Sequence, residues 1–236
     1  MSDPAGNLAQ ILQRLRLAET LRLAEMARVE TGAPVSPVRL LAVSKTRTAA
    51  EIRALGALGQ HAFGENYVQE AIAKQRELRD QDFEWHLIGH LQSNKAREAA
   101  EAFDWVQSVD RIKLVAALAR HRPAELPPLN VLVQVNIDDE ASKSGCRPDD
   151  AFALADAVAA EPRLLLRGIM AIPSPDPDMQ RRSAAFRALK ALFDAIKARH
   201  SRIDTLSMGM SEDFELAIAE GATMVRVGTA LFGARG

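Results

Sequence analysis

Apolar residues recur along this chain in two rhythms, a helical one and a strand-like one, and the two take turns. Residues 7 to 30 carry Leu8, Ile11, Leu12, Leu15, Leu21, Leu23, Met26 and Val29 between charges at roughly helical spacing. This predicts an amphipathic opening helix, with Ser2 or Asn7 as its cap and Gly32, Pro34 and Pro37 as its stop. The interleaved Glu19, Glu25 and Glu30 favour packing on the domain over lying on a membrane surface. Next comes Arg39-Leu-Leu-Ala-Val-Ser-Lys45, an apolar stretch bounded by Pro37 and Thr46, which reads as a buried strand with an amine at its tip. Thr48, with Glu51 at the capping-box position, opens a helix to about Leu58.

The alternation then repeats. Short strands are predicted at His61 to Gly64, Glu84 to Gly89, Asp104 to Val109, Asn130 to Ile137, Leu164 to Ile172, Asp204 to Met208 and Thr223 to Gly228. Helical stretches lie near 66 to 80, 92 to 101, 110 to 121, 148 to 160, 178 to 199 and 211 to 220. Alternating strands and helices imply parallel strands with right-handed crossovers, and eight such units in this length point to a (β/α)8 barrel filling residues 1–236 as a single domain, with an extra N-terminal helix. The second and seventh strands are weakly hydrophobic, so an open doubly wound sheet stays as the structural alternative. Pro173-Ser-Pro-Asp-Pro177 reads as an ordered loop after a strand.

Composition narrows the class. The chain is 47% hydrophobic and 26% charged with a formal net charge of −1, which suits a folded core and gives no pull towards nucleic acid. Its one cysteine, Cys146, excludes an intramolecular disulfide and fits a reducing, cytoplasmic setting. No stretch approaches the roughly 20 apolar residues that span a bilayer, so no membrane partner is expected.

A barrel gathers its chemistry at the C-terminal ends of its strands, where loops and helix N-termini converge. Those ends include Ser44-Lys45, Gly64-Glu65-Asn66, Ser207-Met208-Gly209-Met210-Ser211 and Arg226-Val227-Gly228-Thr229. The loops after strands seven and eight often hold a phosphate. Ser207, Gly209, Ser211, Gly228 and Thr229 suit that role, because glycine lets the backbone approach and hydroxyls donate to phosphate oxygens. Ser211 can instead simply cap a helix. Arg226 lies between Val225 and Val227, so strand alternation turns it into the barrel if the valines face the helices. A buried guanidinium needs partners. With Lys45 at the same mouth, a single phosphorylated aromatic aldehyde would satisfy all three features, although a salt-bridged lysine and a structural ion pair are the plainer alternatives.

Leu41-Ala-Val-Ser-Lys45, Phe63-Gly-Glu-Asn-Tyr-Val-Gln-Glu70, Trp85-His-Leu-Ile-Gly-His-Leu-Gln-Ser-Asn-Lys95, Val133-Gln-Val-Asn136, Lys143-Ser-Gly145, Gly168-Ile-Met170, Leu206-Ser-Met-Gly-Met-Ser211 and Val225-Arg-Val-Gly-Thr229 resemble the motifs of the YggS/PROSC family of pyridoxal phosphate homeostasis proteins. The resemblance runs from about residue 8 to the C-terminus. It implies a fold-type III barrel, like the N-terminal barrel of alanine racemases, carrying pyridoxal 5′-phosphate (PLP) as an internal aldimine. By position, Lys45 corresponds to the Schiff-base lysine, Ser207, Gly228 and Thr229 fall in the phosphate-binding segments, and Arg226 falls where the family's arginine meets the pyridine nitrogen. Asn66 would lie near the ring edge and Met208 would line the pocket.

An arginine at the pyridine nitrogen stays protonated and leaves that nitrogen unprotonated, so the ring is a weaker electron sink than one paired with aspartate. The chain has one tyrosine, Tyr67, and no β-rich C-terminal segment of the kind that completes a racemase. The expectation is therefore a non-catalytic, monomeric PLP holder in vitamin B6 homeostasis, with PLP-dependent apo-enzymes or amino acids as partners. A PLP-dependent racemase or decarboxylase is one alternative, and an aldolase-like barrel using Lys45 directly on substrate is another. His86 and His90 invite a metal, but they sit on a strand end that does not align them, so no metal is expected. Asp138-Asp-Glu140 reads as a solvated loop and Cys146 as a passive thiol.

Overall fold

Parallel strands close into a barrel in the simplest order, β1-β2-β3-β4-β5-β6-β7-β8. They are β1 (Arg39–Val43), β2 (Ala62–Glu65), β3 (Glu84–Leu87), β4 (Trp105–Val109), β5 (Leu129–Gln134), β6 (Leu164–Met170), β7 (Thr205–Ser207) and β8 (Met224–Val227). Helices alternate with them: α1 (Pro4–Arg28), α2 (Ala49–Gly56), α3 (Val68–Glu77), α4 (Ala96–Ala102), α5 (Ile112–His121), α6 (Ala151–Ala159), α7 (Met179–Arg199), α8 (Phe214–Ala219) and α9 (Thr229–Phe232). This computed structural model describes residues 3–28, 37–138, 144–174 and 176–233. The expected roles of Ser2, Val29, Glu30, Gly32, Pro34, Asp139, Glu140 and Lys143 lie outside the described residues.

Closure decides against the open sheet, because β1 pairs with both β2 and β8. The weak seventh strand is real but only three residues long, and all three are buried. The strands end earlier than their apolar runs suggest. β1 stops at Val43, so Lys45 stands in the turn beyond it.

Helix ends follow local chemistry. At α2 the predicted capping box forms, with Glu51 N–H donating to Thr48 Oγ1 at 3.2 Å and Thr48 N–H donating to Glu51 Oε2 at 2.7 Å. At α1 the cap is Asp3, whose Oδ1 accepts from Gly6 N–H at 3.0 Å. Asn7 is instead inside that helix, and its side-chain amide donates to the Leu231 carbonyl at 3.0 Å. Leu8, Ile11, Leu15 and Ala18 form the buried stripe of α1, so the helix packs on the barrel beside α8 and α9, as its charge pattern implies.

Strand alternation divides the core into an outer and an inner part. Val225 and Val227 join the large cluster between strands and helices. Met224, the next position on the other face, packs inside with Leu41 and Ala62. Deeper in the barrel Trp105, Leu132 and Met170 form a second inner cluster. The N-terminal end is plugged by charge: Arg39 pairs with Glu84 at 2.5 Å and Arg167 with Asp204 at 2.5 Å, and both guanidinium groups lie over the Trp105 ring. A filled interior of this kind leaves the C-terminal end as the place for a site.

Candidate functional site

The pairing of β1 with β8, Ala42 opposite Val227, sets the ends of these two strands side by side. As a result Lys45 and Thr46 from one turn meet Gly228 and Thr229 from the other across a hollow of about 70 Å³, with Val43 and Arg47 completing its wall. Lys45 is exposed there. Arg47 is held rigidly, pairing with Glu51 at 3.3 Å, donating to the Gly233 carbonyl at 2.5 Å and lying over the Phe232 ring. A Cβ on Gly228 would press on Val43 at 3.2 Å, so glycine keeps this wall open. The result is a small recess lined by two cationic residues, two threonines and a bare backbone, which is the donor set an oxyanion needs.

Larger hollows lie elsewhere. One of about 560 Å³ opens at the opposite end of the barrel beside Glu84, Asp104 and Arg122. It is lined largely by acidic and proline residues at the N-terminal face and has no amine, and a larger one of about 670 Å³ lies between α1, α7 and α8, where its one lysine, Lys190, is paired with Asp194.

Arg226 points into the barrel as the valine alternation predicts, and it is 3% exposed. Its Nη1 donates to Ser207 Oγ at 2.8 Å and its Nη2 to the Ala171 carbonyl at 2.8 Å. A guanidinium carries five N–H donors, so two such bonds leave donors for a group at the mouth. Burial pushes its pKa down to about 10, with Asp213 opposing the shift, so it remains a cation at neutral pH.

Behind Arg226 runs a buried relay. Ser207 Oγ donates to Gln107 Oε1 at 2.8 Å, Gln107 Nε2 lies 2.9 Å from His86 Nδ1, and His86 Nε2 lies 2.6 Å from Glu84 Oε1. The amide of Gln107 donates to Nδ1, which places the imidazole hydrogen on Nε2, facing Glu84. Burial lowers the pKa of His86 and keeps the ring neutral. Burial would raise that of Glu84, but the hydrogen bond from His86 and the charge and hydrogen bond of Arg39 outweigh it and hold the carboxyl at about 2. Every donor therefore points from the Arg226 cation towards the Glu84 anion.

Three expected positions take different parts from those predicted. The Ser207 hydroxyl is committed to Arg226 and Gln107 inside the barrel and does not line the recess at Gly228. Met208, one residue on, faces the opposite way into the outer core with Leu206 and Val225, so it does not line the mouth. Ser211 does not cap α8, because Asp213 is the residue before that helix and its Oδ1 accepts from Met210 N–H at 2.7 Å. Gly209 has φ +89, a conformation natural to glycine, and its carbonyl accepts from Arg226 N–H at 3.0 Å. Asn66 is half-buried in the turn after β2, with its backbone against Gly89.

Gln107 and Glu84 are functional candidates that pattern alone did not reveal. Gln107 shares the inward parity of Trp105, which was a readable signal, but its partners come from other strands. His86 belongs to the relay, whereas His90 stands half-exposed at the mouth, 3.9 Å from Asp110. Cys146 is buried, and burial with Asp150 and Asp110 nearby pushes its thiol up to about 12, far from a reactive thiolate.

The sequence model for the family described as alanine racemase, N-terminal domain, matches residues 23–236. A protein of Pseudomonas aeruginosa named pyridoxal phosphate homeostasis protein is 53% identical over 235 residues, covering 100% of this chain and 97% of that protein. Its namesake in Escherichia coli K12 is 50% identical over 238 residues, covering 100% of this chain and 98% of that protein. Among solved structures, PipY of Synechococcus elongatus PCC7942 with PLP bound superposes with a TM-score of 0.77 at 41% identity, covering 91% of this chain and 100% of that one.

Proposed function

The chain belongs to the family of pyridoxal phosphate homeostasis proteins, within the alanine racemase N-terminal domains, and we propose that it binds PLP covalently through Lys45 and holds it for release to other proteins, without turnover of its own. The relatives' name and the PLP bound by PipY support the ligand. The observation that carries the reading for this chain is the meeting of Lys45 with the recess at Gly228 and Thr229.

The donor set fits PLP. When bound, PLP supplies an aldehyde that condenses with a primary amine, with loss of water, and a phosphate group that anchors it. Lys45 provides the amine at the mouth. Gly228 and Thr229, with Arg47 as the neighbouring cation, would hold the phosphate in the recess, and the bend at Gly209 borders the same end of the barrel. Arg226 would donate to the pyridine nitrogen and leave it unprotonated, Ser207 would serve by fixing Arg226, and Asn66 would stand near the ring. Tyr67 supports the holding role: it stands 62% exposed, and among the described residues no hydrogen bond fixes its hydroxyl. Racemisation needs a proton-transfer group fixed on each face of the ring. Recipients are amino acids or PLP-dependent apo-enzymes, whose amines compete with Lys45, and the holder is a monomeric cytoplasmic protein. Consistent with this, no described helix is long and apolar enough to cross a membrane.

Purified protein loaded with PLP should show the visible absorbance of a lysine-bound cofactor, and Lys45→Ala should abolish it. A protein that stays colourless after incubation with PLP would overturn the assignment. Amino-acid racemisation or decarboxylation that disappears in Lys45→Ala would overturn the holding role alone.

A further inference from the structure

Lys45 occupies the corner of a tight turn whose geometry is held from outside. The turn is closed by Arg47 N–H donating to the Ser44 carbonyl at 3.0 Å, which places Lys45 and Thr46 at its two central positions. Thr46 has φ +62, the only positive φ on a non-glycine among the described residues. A β-branched residue adopts that conformation reluctantly, and turns with positive φ there normally carry glycine or asparagine. The backbone must therefore be held in place by its surroundings.

The restraint comes from a second, buried lysine. Lys74 of α3 directs its three donors to the Ser44 carbonyl at 2.7 Å, Glu65 Oε1 at 2.8 Å and Glu70 Oε1 at 2.7 Å. Glu65 Oε1 also accepts from Ser44 Oγ at 2.5 Å, and Glu70 Oε1 accepts from Thr46 N–H at 2.5 Å. Both residues flanking Lys45 are thus fastened to one cluster, while Lys45 itself is left exposed. The Lys74 side chain is 8% exposed and that of Glu65 is fully buried, with Oε2 lacking a partner among the described residues. Burying charges and stranding a carboxylate oxygen is a poor way to stabilise a fold, since an apolar cluster of similar volume often does as well. A buried ionic cluster is better suited to fixing one backbone geometry, and here the geometry fixed is that of the reactive amine.

We propose that Lys74, Glu65 and Glu70 are positioning residues for Lys45, which hold its turn so that the amine meets an aldehyde bound at the mouth, without themselves binding that ligand. This rests on the PLP-holding function. Bond formation between Lys45 and a bound aldehyde is an intramolecular event whose effective concentration depends on amine placement. Loosening the turn should weaken covalent attachment more than recognition of phosphate and ring, because Gly228, Thr229 and Arg226 lie outside the cluster and the Arg47 side chain is anchored separately on Glu51, the Gly233 carbonyl and the Phe232 ring.

The experiment compares two ligands on wild type, on Glu70→Ala and on the double variant Glu65→Gln with Lys74→Met, which removes both buried charges together so that neither is left unpaired. PLP attachment is read by absorbance and by borohydride reduction followed by mass mapping of Lys45. Non-covalent recognition is read by calorimetry with 4′-deoxypyridoxine 5′-phosphate, which keeps the ring and phosphate but has no aldehyde. The expected result is covalent labelling of Lys45 slowed by about ten-fold or more, with the affinity for the deoxy compound within about two-fold of wild type. Labelling at the wild-type rate in the folded Glu70→Ala protein would overturn the proposal, and so would parallel loss of both ligands in proteins whose circular dichroism is unchanged. A wild-type protein that takes up neither ligand would instead remove the PLP-holding function, and this inference with it.

Discussion

Ser207→Ala tests whether the relay behind Arg226 is an energetic unit. The substitution removes one hydroxyl from a site that is fully buried, so the smaller side chain fits without a clash. It deletes two bonds at once, the one from Arg226 Nη1 and the one to Gln107 Oε1, each 2.8 Å long. A hydrogen bond involving a charged group contributes about 1.5–3 kcal/mol and a neutral one about 1 kcal/mol, so the expected loss is about 2–4 kcal/mol. Since about 1.4 kcal/mol is a ten-fold change, the ratio of folded to unfolded protein should fall by more than ten-fold. Urea unfolding followed by circular dichroism measures it as a drop in midpoint with little change in slope. The cycle with Gln107→Leu is the sharper assay. Each single substitution leaves the partner's polar group stranded, so the double variant should lose less than the sum by about 1 kcal/mol or more. A Ser207→Ala loss below about 0.5 kcal/mol, or strict additivity in the cycle, would show that the bonds from Arg226 to Gln107 are geometrically present but energetically idle.

Two further outcomes follow from the same geometry. Gly209→Ala would impose φ +89 on a residue with a side chain and bring the new Cβ to 2.5 Å from the Cβ of Ala217, so a loss of about 2–4 kcal/mol and a melting temperature lower by roughly 4–16 °C are expected by calorimetry; an unchanged melting temperature would contradict the tight packing of this bend. The Glu84 carboxyl is held at about 2, below its ordinary 4.5, so the stability it contributes is complete above pH 4.5 and is lost as pH falls from there towards 2. Because its side chain is 34% exposed, solvent screening reduces the effect to about 1–2 kcal/mol. Glu84→Gln should flatten the acid limb of a stability–pH profile over that window, and a profile identical to wild type would discount the charged end of the relay.

Much of the architecture was legible in residue order alone. The alternation of strand and helix patterns implied a parallel barrel, the Thr48 and Glu51 pair marked a helix start, and Val225-Arg226-Val227 turned its arginine inward, because each rests on local geometry over a few residues. The same parity, applied to Ser207, would have sent Met208 outward, but a strand of three residues shows too little alternation to read. Closure of the sheet was decided only in three dimensions, by the pairing of β1 with β8. So were the partnerships that give the polar residues their tasks. Ser207 meets Gln107 across the barrel, and Lys74 reaches back from a helix to hold the carbonyl of Ser44. Hydrogen bonds between distant strands leave no periodic trace, since any polar residue of the right length satisfies the pattern. What the sequence by itself determined was which strand ends form the mouth; tertiary structure decided which of their residues face it, which are free to meet a ligand and which are spent on holding the others still.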